Sequence, residues 1–98
     1  MFSDFLRDSP VYQEVLEEGL EKGLEKGVRV GELRAQRRTL LDIVQERFPA
    51  IAYLVREQAE ATDDPEILRH VAVKISIAQT VKEAEQYLLA ITRDDKKN

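Results

Sequence analysis

Four stretches of the chain repeat apolar residues at helical spacing, and each follows a proline or a capping residue. Ser9-Pro10 opens the first stretch, because serine caps helices and proline suits the first helical position. No proline follows until Pro49, and the residue before a proline avoids helical angles. We therefore predict a long N-terminal helix over 9–47. Whether it continues through 27–31 stays open, because glycine weakens a helix interior.

Three shorter helices are predicted after the long one, within a small helical domain over 48–92. Their predicted bounds are Ala50–Ala61, Pro65–Ala78 and Val81–Ile91. Asp64 is a predicted N-cap for the middle one, and Thr80-Val81-Lys82-Glu83 matches a capping box for the last. Residues 70–78 also alternate as a strand would, so a strand stays an alternative there. The predicted fold is all-α, a long helix followed by a bundle of about three short ones. Residues 1–8 and 93–98 are expected to be a flexible lead-in and tail.

The most regular feature of the sequence is the four-residue repeat EGLEKGLEKGVRVG at 18–31. Residues four apart share one face of a helix, so the repeat sorts its members into columns. The glycine column contains Val15, Gly19, Gly23, Gly27 and Gly31. The neighbouring apolar column contains Leu16, Leu20, Leu24 and Val28. Two charged columns contain Glu17, Glu21 and Glu25 in one case and Lys22 and Lys26 in the other.

The repeat is unfavourable for a helix standing alone. Each interior glycine costs about 1 kcal/mol relative to alanine, and the glutamates repel along their column. A second helix against the glycine–leucine face offsets this loss, because missing side chains let two backbones approach closely. A period of four favours a right-handed crossing. We therefore predict self-association, as a dimer or tetramer, through the two apolar columns.

Two questions about that association stay open at the level of the sequence. A glycine-weakened spacer, helical only part of the time, is the alternative to an association surface. The repeat also admits slips of four residues, so it cannot fix the alignment of two helices alone. The Glu and Lys columns can pair across the interface if the helices are antiparallel or suitably staggered.

Composition narrows the classes of partner. The chain is 43% hydrophobic and 35% charged, with a net charge of −4, which is typical of soluble helical proteins. A basic surplus is the usual sign of nucleic-acid binding, so that partner is disfavoured. No uncharged apolar run approaches the roughly 18 residues that span a bilayer. The start of the chain has no signal-peptide pattern, and we expect a cytoplasmic protein without a membrane partner.

Candidate catalytic chemistry is sparse. The chain has no cysteine and a single histidine, His70, and it lacks metal, phosphate-loop and dinucleotide motifs. We expect neither an enzyme nor a protein that binds a cofactor, a metal or a small-molecule substrate. A local basic cluster contains Arg34, Arg37 and Arg38. It is the one candidate contact for phosphate, but we expect it to be a solvated helix face.

The order of features resembles the tail of a bacterial nuclease family. Ser9, Pro10 and Tyr12 form the entry, the glycine repeat follows, and a Leu/Arg-rich helix over 40–48 ends in Arg-Phe. This order over residues 9–91 is similar to the C-terminal region of Rpn-type recombination-promoting nucleases and putative transposases of the PD-(D/E)xK superfamily. The nuclease half of that family would require a β-sheet with magnesium ligands. Asp94-Asp95-Lys96 matches only the letters of its Asp-x-Lys motif, so no catalytic residue is carried over.

The resemblance implies a tail without its nuclease domain. The expected partners are a second copy of the chain and, through the same segment, a related full-length nuclease. The predicted function is a non-catalytic oligomerisation module. One alternative is an antitoxin-like regulatory subunit that silences such a nuclease. A weaker alternative is a nucleic-acid-binding accessory protein that uses the basic cluster.

Overall fold

A computed structural model describes the backbone of residues 9–96 and the side chains of residues 9–91. All regular structure in that part of the chain is helical. It consists of α1 (Pro10–Arg47), a 3-10 turn (Pro49–Ile51), α2 (Ala52–Ala59), α3 (Pro65–Ile77) and α4 (Val81–Lys96). The prediction of an all-α chain with one long helix before three short ones is confirmed. The chain divides into two units, Met1–Gly31 and Glu32–Asn98, and the predicted lead-in over 1–8 lies outside the described residues.

Helix α1 begins where the sequence predicts and continues without a break. The N–H of Gln13 donates to the carbonyl oxygen of Ser9 at 3.1 Å, which closes the first turn above Pro10. The helix runs through 27–31 to Arg47, so the open question of its continuity is answered. Its glycines all have negative φ angles. They are therefore accommodated as ordinary helical residues, without use of the left-handed conformations that glycine alone adopts readily.

The unit Glu32–Asn98 has an apolar core to which every helix contributes. Helix α4 packs against both α2 and α3, and the C-terminal part of α1 adds two fully buried side chains, Leu40 and Val44. The other buried apolar residues are Phe48, Ile51, Leu54, Val55, Ala59, Leu68, Val71, Ala72, Ile75, Ala78, Ala84, Leu88 and Ile91. These positions recur at the three- and four-residue spacing expected of helices with one buried face.

Helices α3 and α4 start at the residues that the sequence marks as caps. The Oδ1 atom of Asp64 accepts from the N–H of Glu66 at 3.0 Å, so Asp64 is the N-cap of α3. The Oγ1 atom of Thr80 accepts from the N–H of Glu83 at 3.1 Å. In return the Glu83 carboxylate accepts from the N–H of Gln79 at 3.3 Å, one residue before the N–H that a standard capping box uses.

Several predicted boundaries need correction, and one alternative is excluded. Residues 70–77 belong to α3, the helix that Asp64 caps. The strand alternative is therefore wrong. Helix α2 begins at Ala52 rather than Ala50, because a 3-10 turn precedes it, and it ends at Ala59 rather than Ala61. Helix α3 ends at Ile77, one residue before the predicted end. Helix α4 continues to Lys96 rather than ending at Ile91, because no proline or glycine interrupts it there. The predicted tail over 93–98 is therefore helical through residue 96.

Two arginines of α1 bind backbone carbonyl groups at the C-terminal ends of other helices or, for Thr62, in the loop that follows α2. The guanidinium of Arg37 donates through Nε to the carbonyl of Ala59 and through Nη2 to that of Thr62, both at 3.0 Å. Arg47 donates through Nη1 to the carbonyl of Ile75. Helices leave their last carbonyl groups without intrahelical donors, and a cation there also interacts favourably with the helix dipole. These arginines thus hold α1 to the C-terminal ends of α2 and α3.

We predict that Arg37→Ala lowers the free energy of unfolding by about 1–2 kcal/mol, because two carbonyl groups lose a charged donor. The estimate is at the lower end of the usual range since the side chain is 25% exposed, which weakens its electrostatic contribution. Urea unfolding followed by circular dichroism measures the change. Arg38→Ala is the control, because Arg38 is exposed and we expect a change below about 0.5 kcal/mol. Equal losses in both variants would contradict the role given to Arg37.

Candidate association surface

The unit Met1–Gly31 presents a row of uncovered apolar side chains along α1. Leu24 is 70% exposed and Leu16, the least exposed member of the apolar column, is 45% exposed. Val15, Leu20 and Val28 are exposed to a similar degree. Single exposed apolar residues are normal on protein surfaces, but a contiguous row is typical of interaction sites. Leu16, Leu20, Leu24 and Val28 form the predicted apolar column, and Val15 belongs to the glycine column beside it.

The glycine column lies beside this row, and no described residue covers it. A Cβ atom placed on any of the four glycines, Gly19, Gly23, Gly27 or Gly31, meets no atom within 4 Å beyond the local helix backbone. None of them has a positive φ angle. Neither backbone conformation nor packing among the described residues therefore requires glycine at these positions. What remains special about them is the bare backbone that they expose.

After Gly31, the large apolar residues of the same helix are buried or partly buried instead of exposed. Leu40 and Val44 are 0% exposed, and Leu33 and Leu41 pack partly against the core of the unit Glu32–Asn98. In that unit the chain itself supplies the covering surface. No described residue covers the apolar row of Met1–Gly31, which is the difference that marks the row as a candidate site.

The basic cluster does not act as one surface. Arg34 and Arg38 are exposed, whereas Arg37 is engaged with the carbonyl groups of Ala59 and Thr62. Its Nη1 atom also lies 3.7 Å from the Glu60 carboxylate. The expectation of a wholly solvated face is therefore wrong for Arg37, because its guanidinium stabilises the fold. Local sequence gives no signal of this role, since the partners lie more than 20 positions away.

A surface depression lies beside Arg37 in the unit Glu32–Asn98. Its lining contains Arg37, Arg38, Leu41, Val55, Arg56, Ala59 and Glu60. The surface that lines the depression is mostly apolar, although the arginines and Glu60 contribute to it. Arg38 and Arg56 are exposed, while Arg37 already binds carbonyl groups. The depression thus combines a small apolar surface with two solvated cations, and it brings together no pair of groups suited to acid–base or nucleophilic chemistry.

Among the described residues, no group of three or more His, Asp or Glu side chains is arranged to hold a metal ion. His70 is an exposed residue of α3. Among the described helices, none is both long enough and apolar enough to cross a membrane.

No family model, curated protein or solved structure matches this chain. The resemblance to nuclease tails therefore stays a prediction from the sequence. The candidate site is defined by its own geometry alone.

We predict that alanine at Gly23 and Gly27 stabilises helix α1 in the monomer by about 1 kcal/mol per site. The open space around both positions means that the added methyl groups meet nothing. Circular dichroism of dilute, monomeric protein should show a higher helical signal and a higher melting temperature of the helix. Arg29→Ala is the control, because arginine and alanine have similar helix propensities. A lower helical signal for the glycine variant would show that the glycines make contacts within the monomer.

Proposed function

We propose that this chain is a self-association module whose contact surface is the glycine–leucine face of α1. The single observation that carries the proposal is the uncovered pair of columns on a continuous helix. Four glycines and the adjoining apolar side chains lie together there, and no described residue covers them. Elsewhere along the same helix, apolar residues at helical spacing are buried.

The driving force in this proposal is burial of the leucine column. Fully burying a leucine or valine side chain contributes about 1.5–3 kcal/mol relative to leaving it exposed. One such side chain therefore offsets the helix cost of one to three glycines at about 1 kcal/mol each. The glycines add little attraction themselves. They let the second backbone come close enough for leucines of both chains to lose contact with water.

The face has the chemistry expected for a helical partner in water. Its centre is bare backbone and aliphatic side chain, and charged residues border it on both sides, including Glu21, Lys22, Glu25 and Lys26. An apolar centre with a polar border is the common anatomy of protein interfaces. A second helix with matching columns fits this surface, and a second copy of the chain supplies one.

A longer protein that carries the same segment is the second candidate partner. A face that accepts its own copy also accepts an identical repeat on another chain, whatever domain that chain bears. In a nuclease with such a tail, binding of the short chain would replace one tail–tail contact by another. This regulatory role rests on the resemblance to Rpn-type tails, and co-purification with a nuclease of that type tests it. Unchanged activity of that nuclease in the presence of the chain would contradict it.

We predict that the chain forms a dimer or tetramer at micromolar concentration and that Gly23→Gln/Gly27→Gln separates it into monomers. Two glutamine side chains on the glycine column prevent close approach of a second backbone while favouring the helix itself. Sedimentation equilibrium measures the change. The matched control is Glu21→Gln/Glu25→Gln, which places the same side chains on the opposite column and should leave the assembly intact. A wild-type chain that stays monomeric at these concentrations would refute the proposed function.

A further inference from the structure

A third column of α1 borders the glycine column on the side away from the leucines. Its members, four residues apart and all exposed, are Glu14, Glu18, Lys22 and Lys26. At 3.6 residues per turn the four columns follow one another around the helix. The glycine column therefore lies between the leucines and this charged column. The column of Glu17, Glu21 and Glu25 lies on the opposite side of the helix from the glycines.

The order of charges in the bordering column is acid, acid, base, base. Within one helix, oppositely charged residues four apart attract and like charges repel. Glu18 and Lys22 form a favourable neighbour pair, but the pairs Glu14–Glu18 and Lys22–Lys26 are unfavourable. Alternating charges would give three favourable pairs with the same composition. The block order is thus a poor choice for a helix without a partner.

In an antiparallel copy, however, the order of charges along this column is reversed, so that each charge meets its opposite. An antiparallel copy placed alongside sets Glu14 against Lys26 of the second copy and Glu18 against Lys22 of the second copy. The two-fold symmetry of such a pair repeats both contacts. All four facing pairs then have opposite charges, so the order that is unfavourable within one helix becomes favourable between two.

We propose that the column Glu14–Glu18–Lys22–Lys26 is an orientation-determining site that selects an antiparallel second copy of the chain. This inference rests on the proposed self-association and adds its direction and alignment. Charges across an interface act mainly on specificity, because like-charge contacts disfavour the wrong arrangement. The leucines supply the attraction, and the charged column selects among the arrangements that the leucines permit.

The geometry of the two possible directions separates them. In an antiparallel pair whose glycine columns face each other, two-fold symmetry makes each bordering column meet the same column of the other copy. The charge-matched alignment places the two-fold axis near Leu20, so Gly19 and Gly23 of each copy lie nearest the centre of the contact, and Gly27 and Gly31 lie toward its ends. Leucines then meet leucines, and the charged column meets its complement. In a parallel pair centred on the glycines, each leucine column instead faces the charged column of the other helix. That arrangement leaves charged groups against apolar side chains and lacks the four favourable pairs.

The same column fixes the alignment that the glycine repeat leaves open. A slip of four residues in one direction brings Lys22 against Lys22 of the second copy, and a slip in the other brings Glu18 against its own counterpart. Either slip keeps only two opposite-charge pairs and adds one like-charge contact. The block order therefore makes one alignment better than its neighbours, as registry devices in coiled coils do.

Two variants of identical composition test this inference. Glu18→Lys/Lys26→Glu gives the order acid, base, base, acid, in which every facing pair of the proposed antiparallel alignment has like charges. Glu18→Lys/Lys22→Glu gives alternating charges, in which every facing pair is still opposite. We expect the first variant to associate about tenfold more weakly than the second, given the few tenths of a kcal/mol typical of each exposed pair. The difference should disappear in 1 M salt, where screening acts within about 3 Å.

Sedimentation equilibrium on the wild type comes first, because it separates two kinds of failure. A monomeric wild type would remove the proposed function and this inference together. An associating wild type with two equally associating variants would leave self-association standing and overturn the antiparallel assignment. A parallel pair predicts that equality, since exchange within this column changes no net charge and leaves the leucine contacts intact.

A direct measurement of direction uses a single spin label. The chain has no cysteine, so Gln13→Cys gives one labelled site per copy. The antiparallel alignment places the two labelled positions about 20 Å apart along the helix axes, at 1.5 Å per residue. A parallel pair places them side by side. Pulsed electron paramagnetic resonance on the associated protein distinguishes the two distances, and the shorter one would overturn the proposal.

Discussion

The continuous backbone hydrogen bonding of α1 is the constraint on which every other assignment depends. A helix of 38 residues fixes which side chains share a face, whatever those side chains prefer individually. It places glycines in one column and leucines in the next although glycine is a poor helix former. It also places Arg37, Leu40 and Val44 on successive turns, where they meet other helices. Both units contain a part of this helix, and each uses its periodicity differently.

The two uses differ in where the covering surface comes from. After Gly31, large apolar residues of α1 belong to the same buried core as residues of α2, α3 and α4, and the arginines bind backbone carbonyl groups of other segments. A core built this way tolerates no glycine column, because missing side chains would leave cavities. Before Gly31 the described chain offers no cover. The absence of side chains at the glycines favours association only if the backbone of another helix approaches this face.

Local signals in the sequence were sufficient for most of the fold. Ser9-Pro10, Phe48-Pro49 and Asp64-Pro65 mark helix boundaries because proline and N-cap residues act within one turn. The end of α4 is not predictable from polarity, because the polar residues after Ile91 are compatible with a helix. The role of Arg37 was not predictable, because its acceptors lie far along the chain. The columns of the candidate surface were predictable from spacing, and their exposure required the structure.

A surface built from a perfect repeat has a problem that charge order solves. In the proposed pair, glycine allows proximity and leucine provides attraction, but both recur every four residues and so admit more than one alignment. Specificity therefore needs an element that breaks the repeat without disturbing the packing. The change from glutamate at Glu14 and Glu18 to lysine at Lys22 and Lys26 is such an element, because it borders the bare backbone and leaves the apolar columns unchanged. In the proposed pair, direction and alignment then depend on the charged column and attraction depends on the leucines, which is how specificity and stability are commonly separated at helix interfaces.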